Sequence, residues 1–281
     1  IGGDLGVANA NGNVSATTVG GDMTVGNLGG GTVSATEVGG TATITGNGTF
    51  DIAKAGNLDL GTTSGSLNLV GNKDDNFATV ADSNLNAALD EEGKSKGTTI
   101  AENGTVKVDT LNKTTTIDGF NGNLEAANTS DIKVGENGLT GDLTVGTVGG
   151  DLTADGKIDG NIKADKTRGK VAVKDVTRDM TVGKAGGDIS AAEVVGTLEV
   201  GDLGDNTVSA DKAGSVVAGG TGNVKVDNAG SLAINGDAGS LMVDGNKVST
   251  TDGGIKVSGK TDGKMNIDID GSLSAKQVSQ N

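Results

Sequence analysis

Short apolar–polar–apolar triplets recur along most of the chain. Three near-copies read GDMTVG at residues 21–26, GDLTVG at 141–146 and DMTVG at 179–183. Each triplet places a polar residue between an apolar residue and a Val, Ile or Ala. Alternation with a period of two is typical of a short strand that buries one face. The pattern therefore predicts a long series of half-buried strands.

The spacing of these strands predicts how they stack. Successive strands begin 8–10 residues apart, and the second apolar position alternates between large and small, as at Val7, Ala16, Val25 and Ala35. The repeat is therefore two strands, or about 18–19 residues. A repeat of this length predicts an all-β, elongated parallel β-helix (β-solenoid), in which each coil buries its apolar residues on the next.

The regular spacing disappears between residues 69 and 98 and loosens again near the C-terminus. Within residues 75–92 the apolar side chains, among them Phe77, Val80, Leu85 and Leu89, fall at helical spacing. This spacing predicts one inserted amphipathic helix. We expect N-terminal solenoid coils over residues 1–70, the helical insertion over 71–97 and the same solenoid over 98–281, all in a single domain. The helix is either a structural cover or a contact surface for a neighbouring subunit.

Composition excludes several classes of function. The 281 residues include 51 Gly but no Cys, His, Trp, Tyr or Pro, and the formal net charge is −15. Without thiolate or imidazole there is no ordinary zinc or haem site and no Ser-His-Asp triad. The negative charge opposes nucleic-acid binding, and no apolar run is long enough to cross a bilayer. We predict no enzymatic activity, no cofactor, no nucleic-acid partner and no transmembrane segment.

Calcium is the one metal that the residue set suits, because Asp, Asn and carbonyl oxygens are hard ligands. The weak candidate ligands are Asp202, Asp205 and Asn223. Residues 219–226 match the calcium-binding nonapeptide G-G-x-G-x-D-x-U-x once, with Asn223 in place of Asp. The alternative is that Asp and Asn in turns bind local backbone groups.

Two groups of proteins resemble this chain. The G-D-I-x-A and G-N-I-x-A turns at residues 187–191 and 160–164 resemble the coils of bactofilins, which are polymerising bacterial cytoskeletal proteins. The G-D-L-T-V-G and G-S-L-x-V turns are similar to secreted bacterial β-solenoid repeat proteins of the surface-layer, adhesin and extracellular-fibre types. The chain departs from bactofilins in its length and its insertion. Both resemblances imply a structural protein that self-assembles.

The sequence thus favours a self-assembling subunit of an extracellular or cell-surface filament, sheath or layer. It would polymerise with itself through the solenoid ends and lateral contacts. The first residue, Ile1, fits either removal of a signal peptide or a fragment of a longer protein. One alternative is a monomeric adhesin stalk or passenger that binds glycans or a receptor, and another is a bactofilin-like cytoskeletal polymer. The expected interface residues are Ile1, Leu5, Phe77, Val80, Leu85, Leu89, Ile267 and Ile269.

Overall fold

A computed structural model describes residues 1–61, 66–71, 76–81, 84–220, 222–227, 229–235, 241–249, 255–261, 265–270 and 273–278. Within these ranges the chain is all-β and has no helix, and its parallel coils confirm the predicted β-solenoid. The chain divides into two compact units, Ile1–Val145 and Gly146–Asn281. The predicted domain boundaries remain a prediction.

The first unit contains twelve described strands and the start of a thirteenth. They are β1 (Leu5–Val7), β2 (Val14–Val19), β3 (Met23–Asp59), β4 (Ser66–Gly71), β5 (Asn76–Ala81), β6 (Leu85–Ala87), β7 (Thr98–Ile100), β8 (Gly104–Thr110), β9 (Thr115–Asp118), β10 (Phe120–Thr129), β11 (Ile132–Val134), β12 (Leu139–Thr140) and β13 (Leu143–Val148).

The second unit continues with shorter strands at first and longer ones later. They are β14 (Leu152–Ala154), β15 (Ile158–Asp159), β16 (Ile162–Thr167), β17 (Val171–Val176), β18 (Met180–Lys184), β19 (Ile189–Asp202), β20 (Thr207–Gly219), β21 (Asn223–Val226), β22 (Ala229–Asn235), β23 (Leu241–Ser249), β24 (Ile255–Thr261), β25 (Met265–Asp270) and β26 (Leu273–Val278).

Each coil of the first unit has two faces, which we call face A and face B. Face A contains Leu5 paired with Met23, and face B contains Val14 paired with Val33. Large residues stack on large ones on face A, as Val7 does on Val25, whereas Ala16 stacks on Ala35 on face B. The alternation in the sequence thus reflects one wide and one narrow core position in each coil.

Asp and Asn side chains join neighbouring coils just before the strands begin. The carboxylate of Asp4 accepts a hydrogen bond from the backbone N–H of Asp22 at 2.9 Å, and that of Asp22 accepts one from Thr41 at 2.8 Å. In the second unit, Asp151 binds the N–H of Lys170 and Asp188 that of Thr207. Partners lie 18 or 19 residues apart, which is the predicted coil length.

A column of glycines allows the backbones of successive coils to approach closely in the first unit. A Cβ atom added at any of them would lie 2.3–2.9 Å from the carbonyl oxygen of the glycine in the coil before. Real Cβ contacts are almost never shorter than 3.0 Å, so no larger residue fits without a backbone shift. The column consists of Gly20, Gly39, Gly56, Gly104, Gly122 and Gly141.

The predicted inserted helix is wrong. Residues 76–81 form strand β5, and residues 85–87 form strand β6. Asn76, Ala78 and Val80 point inward with a period of two, and β5 has antiparallel partners on both edges, β4 and β7. The same apolar residues fit a helix when the local sequence is considered alone, but the two neighbouring ladders favour a strand.

The insertion places two extra strands on one face of the solenoid. On face A, β8 pairs directly with β3 through Leu58 and Val106. On face B, β3 pairs with β6 at residues 48–50 and with β7 at residues 54–55, and β7 pairs with β5, β5 with β4, and β4 with β9. A regular coil has one layer between β3 and β9, so the insertion adds two. We call the extra pair, β4 and β5, the wedge. Because β5 runs antiparallel to both neighbours, β4 is again parallel to β9 and the regular coils resume.

Asn76 connects the wedge to the coils that follow it. Its buried side-chain amide donates to the carbonyl oxygen of Asn121 at 2.7 Å and accepts from the N–H of the same residue at 2.9 Å. A primary amide carries both N–H donors and an acceptor oxygen, so it can match one backbone donor and one backbone acceptor at the same time. Asn76 thus provides the partner for the N–H of Asn121, whose carbonyl oxygen also accepts from the N–H of Asn103 at 3.3 Å.

Thr115 occupies a core position that an apolar residue would fill better. It is fully buried between Leu67 and Ile132 in the ladder of face B, and its hydroxyl has no hydrogen-bond partner in the described part of the chain. We expect Thr115→Val to raise the free energy of unfolding by about 1 kcal/mol, because it removes an unpaired buried hydroxyl at nearly constant volume.

Urea unfolding followed by circular dichroism checks this expectation. Thr116→Val, at the outward-facing neighbour, is the matched control and should change the free energy of unfolding by less than about 0.5 kcal/mol. Equal stabilisation by both substitutions would mean that strand propensity, rather than the buried hydroxyl, is responsible.

Candidate assembly edge and interaction surfaces

Among the described residues, β1 and β2 are paired along one edge only. Each of these strands has one described partner, β3, and among the described residues nothing covers the opposite edge. Leu5, Val7, Val14 and Ala16 are therefore only half-buried, whereas their equivalents in the next coil are 0–5 % exposed. Ile1 is 59 % exposed beside them. This edge combines unpaired backbone groups with an incompletely covered core.

The direction of the free backbone groups follows from one hydrogen bond. The N–H of Leu5 donates to the carbonyl of Asp22 at 2.9 Å, which points Leu5 toward β3. Successive residues of a strand direct their backbone groups to opposite sides, so the N–H and C=O of Gly6 face outward. Gly6 is exposed, and a Cβ added there meets no atom within 4 Å.

The other expected interface residues differ in their burial and in their position. Val80 and Leu85 are fully buried in the core, Phe77 is half-buried, and Leu89 is 61 % exposed. Ile267 and Ile269 lie on β25, which pairs with β23. Of the residues expected from the insertion, Leu89 is thus the most accessible to a partner. Whether any of them forms an interface remains a prediction.

Leu89 belongs to a projection that we call the tongue, residues 88–96. Its two arms are joined by hydrogen bonds from the N–H of Asp90 to Lys94 and from the N–H of Lys96 to Ala88, at 2.8 and 2.6 Å. The Asp90 carboxylate accepts the N–H groups of Glu92 and Lys94 at the tip. An ion pair of 2.9 Å between Lys96 and Asp51 attaches the tongue to the solenoid.

A groove of about 650 Å³ lies beneath the tongue. Thr32 and Thr49 of the solenoid line one side, and Leu89, Gly93 and Ser95 of the tongue line the other. The described residues that line it are uncharged: Thr32, Thr49, Ala81, Asn86, Ala87, Ala88, Leu89, Gly93 and Ser95. The groove offers hydroxyl and amide groups beside apolar surface, which suits a neutral polar ligand.

The calcium candidates lie near one corner of the second unit. One carboxylate oxygen of Asp202 lies 2.9 Å from the Lys184 ammonium, and the other accepts the N–H of Gly204 at 3.1 Å. Asp205 is exposed in the adjacent turn, and Asn223 pairs with Thr207 at the start of β21. The described residues contain no cluster of three acidic side chains arranged to hold a metal ion. Calcium binding at these residues remains a prediction.

Two acidic groups in this unit have perturbed pKa values. The hydrogen bond and charge of Lys184, with the N–H of Gly204, hold the pKa of Asp202 below its ordinary value, and Asp202 raises the pKa of Lys184 in return. The Thr177 hydroxyl, which donates to Asp159 at 2.7 Å, lowers the pKa of Asp159 with help from Lys157 and Arg178. Both carboxylates therefore stay ionised at neutral pH.

Comparison with family models, curated proteins and solved structures found no match to this chain. The described residues also include no helix that is long and apolar enough to cross a membrane. The fold itself defines the class: the chain is a parallel β-solenoid repeat protein.

Proposed function

We propose that the protein is a structural subunit of an extracellular or cell-surface assembly, in which a second copy continues the solenoid at the open edge of β1 and β2. The half-exposed Leu5, Val7, Val14 and Ala16 are the observation that carries this proposal. A strand edge with free N–H and C=O groups is a template for pairing with another chain. Burial of these four side chains adds a hydrophobic contribution.

The strands near the C-terminus of a second copy could pair with this edge. Strands β25 and β26 each pair in parallel with one described partner, β23 and β24. Their sequences repeat the apolar–polar–apolar pattern of β1, as MNI at 265–267 and LSA at 273–275. A parallel ladder continues only when the trailing edge of one copy meets the leading edge of another, so this contact is head-to-tail and forms filaments.

Gly6→Pro tests the open edge. Proline removes the outward N–H of Gly6 and obstructs a docking strand, but it leaves the inward hydrogen bond of Leu5 in place. We expect this variant to lose filaments in negative-stain electron microscopy and to sediment as a monomer. Its circular dichroism spectrum should remain that of the parent.

Gly6→Ala is the matched control and should assemble like the parent, since a Cβ there meets nothing within 4 Å. Filaments of unchanged number and length from Gly6→Pro would contradict assembly at this edge. Monomeric parent protein at all concentrations tested would contradict the proposal as a whole.

The second candidate is a monomeric stalk that binds glycans. The observation that favours it is the uncharged groove beneath the tongue, whose Thr32, Thr49 and Ser95 offer hydroxyl groups. A monomeric parent that binds a neutral oligosaccharide, and loses this binding in Thr49→Arg, would support the stalk over the filament.

A further inference from the structure

The positive charge of this acidic chain is concentrated in one short segment. Residues 157–184 contain 8 of the 22 Lys and Arg residues and 4 Asp, so the segment carries a net charge of +4 in a chain of −15. All eight cationic side chains are exposed. We call this segment, which spans β16, β17 and β18 and the residues around them, the basic belt.

Several of these cations have no acidic partner. Lys184 pairs with Asp202 at 2.9 Å, and Lys157 lies 3.6 Å from Asp159. In contrast, Lys163, Lys166 and Arg168 have no carboxylate within 4 Å anywhere in the described part of the chain. Asp165 is exposed beside them without forming such a pair.

The solenoid places like charges in adjacent rungs of one face. Lys166 of β16 is in register with Lys184 of β18, and Lys163 lies on the same strand, in register with Thr181. Adjacent rungs of a sheet are about 4.8 Å apart, and like charges directly opposite each other are destabilising. Asp202 already balances Lys184, so the cations that an external anion would balance are Lys166 and its neighbours Lys163 and Arg168.

We infer that the basic belt is a binding surface for a linear polyanion that carries repeated carboxylate or phosphate groups. A contact between one exposed lysine and one anion is weak and is screened by salt. A polymer makes several such contacts at once and releases counterions, so its affinity grows with the number of cations that it covers. This inference does not depend on assembly at the open edge.

The short range of electrostatic forces favours a polymer, rather than a second copy of this chain, as the ligand of the belt. Electrostatic forces in physiological salt extend about 8 Å. A thin polymer brings few of its charges near the acidic surface outside the belt. A second copy brings a net charge of −15 on a broad surface toward another of −15, and the repulsion between the remaining parts opposes the contact.

The test uses the full chain and two labelled polymers, polygalacturonate for carboxylate and polyphosphate for phosphate, with neutral dextran as the uncharged control. Binding is measured by fluorescence anisotropy at 50 and 200 mM salt. We expect Lys163→Glu/Lys166→Glu to weaken binding at least tenfold and to reduce the salt slope by about two. Preference for one polymer identifies which anion the belt takes.

Lys107→Glu/Lys133→Glu is the matched control, because these exposed lysines occupy equivalent outward positions on β8 and β11 and the charge change is the same. It should change the affinity less than twofold. The inference would be overturned if neither polymer bound, or if the two double variants lost the same affinity. Binding of dextran as tight as that of the charged polymers would overturn it as well. A sedimentation change in Lys163→Glu/Lys166→Glu without added polymer would instead assign the belt to contacts between copies.

Discussion

Gly104→Ala is expected to lower the free energy of unfolding by about 3 kcal/mol. The added Cβ would lie 2.3 Å from the carbonyl oxygen of Gly56 and 2.8 Å from that of Ala101. The Gly56 oxygen is backbone of the preceding coil, and the Ala101 oxygen is backbone of the turn before β8, where it accepts the N–H of Gly104. Relief of the contact therefore requires the coils to separate and this turn to change. The Cγ2 methyl of Ile100, at 2.7 Å, closes the remaining space.

The control for this effect is Gly12→Ala, at an exposed bend where a Cβ meets nothing within 4 Å. Here alanine restricts only the unfolded chain, and we expect stability to stay constant or rise by about 0.5 kcal/mol. Urea unfolding of both variants measures the difference. Equal midpoints would show that the glycine column is not required for the close stacking of coils.

Asn76→Ala is expected to cost about 2–3 kcal/mol, because both hydrogen bonds to the backbone of Asn121 are lost. The N–H of Asn121 would be left without a partner beside a buried cavity. Hydrogen exchange at this amide is the most direct measurement, and protection should fall in Asn76→Ala while amides of the distant β1–β3 ladder keep theirs.

Asn76→Asp separates the two hydrogen bonds of this amide. The carboxylate still accepts the N–H of Asn121 but meets its carbonyl oxygen, 2.7 Å from the present amide nitrogen, with no proton to donate. We expect Asp to destabilise the protein at neutral pH at least as much as Ala does. A fully stable Asn76→Asp would refute the role of the amide as a two-sided partner.

The coil length and the parallel stacking could be predicted from the sequence because they depend on local alternation. Every coil repeats the same apolar positions, so Met23, Val33 and Leu58 identify the core before any contact is known. The residues around Phe77 could not be assigned in this way. Their apolar positions satisfy helical and strand periods equally, and the choice depends on β4 and β7, which are separated from β5 by residues that carry no periodic signal.

The candidate surfaces also combine features that the sequence reveals with features that only the stacked coils determine. The concentration of Lys and Arg between residues 157 and 184 is visible in the sequence, but the register that places Lys166 beside Lys184 is a property of the stacked coils. The outward direction of Gly6 depends on the hydrogen bond of Leu5 to Asp22. Asn76 has no local signal, because its partner Asn121 lies 45 residues away.

The wedge has a geometric consequence for the first unit. Two strands add about 10 Å to face B at a point where, among the described residues, face A gains none, so we expect the axes of the coils before and after β4 and β5 to diverge. A solenoid built only from identical coils is straight or evenly twisted. An antiparallel hairpin inserted on one face would curve the solenoid at the coil that contains it. Because the number of added strands is even, the chain then runs again in its original direction.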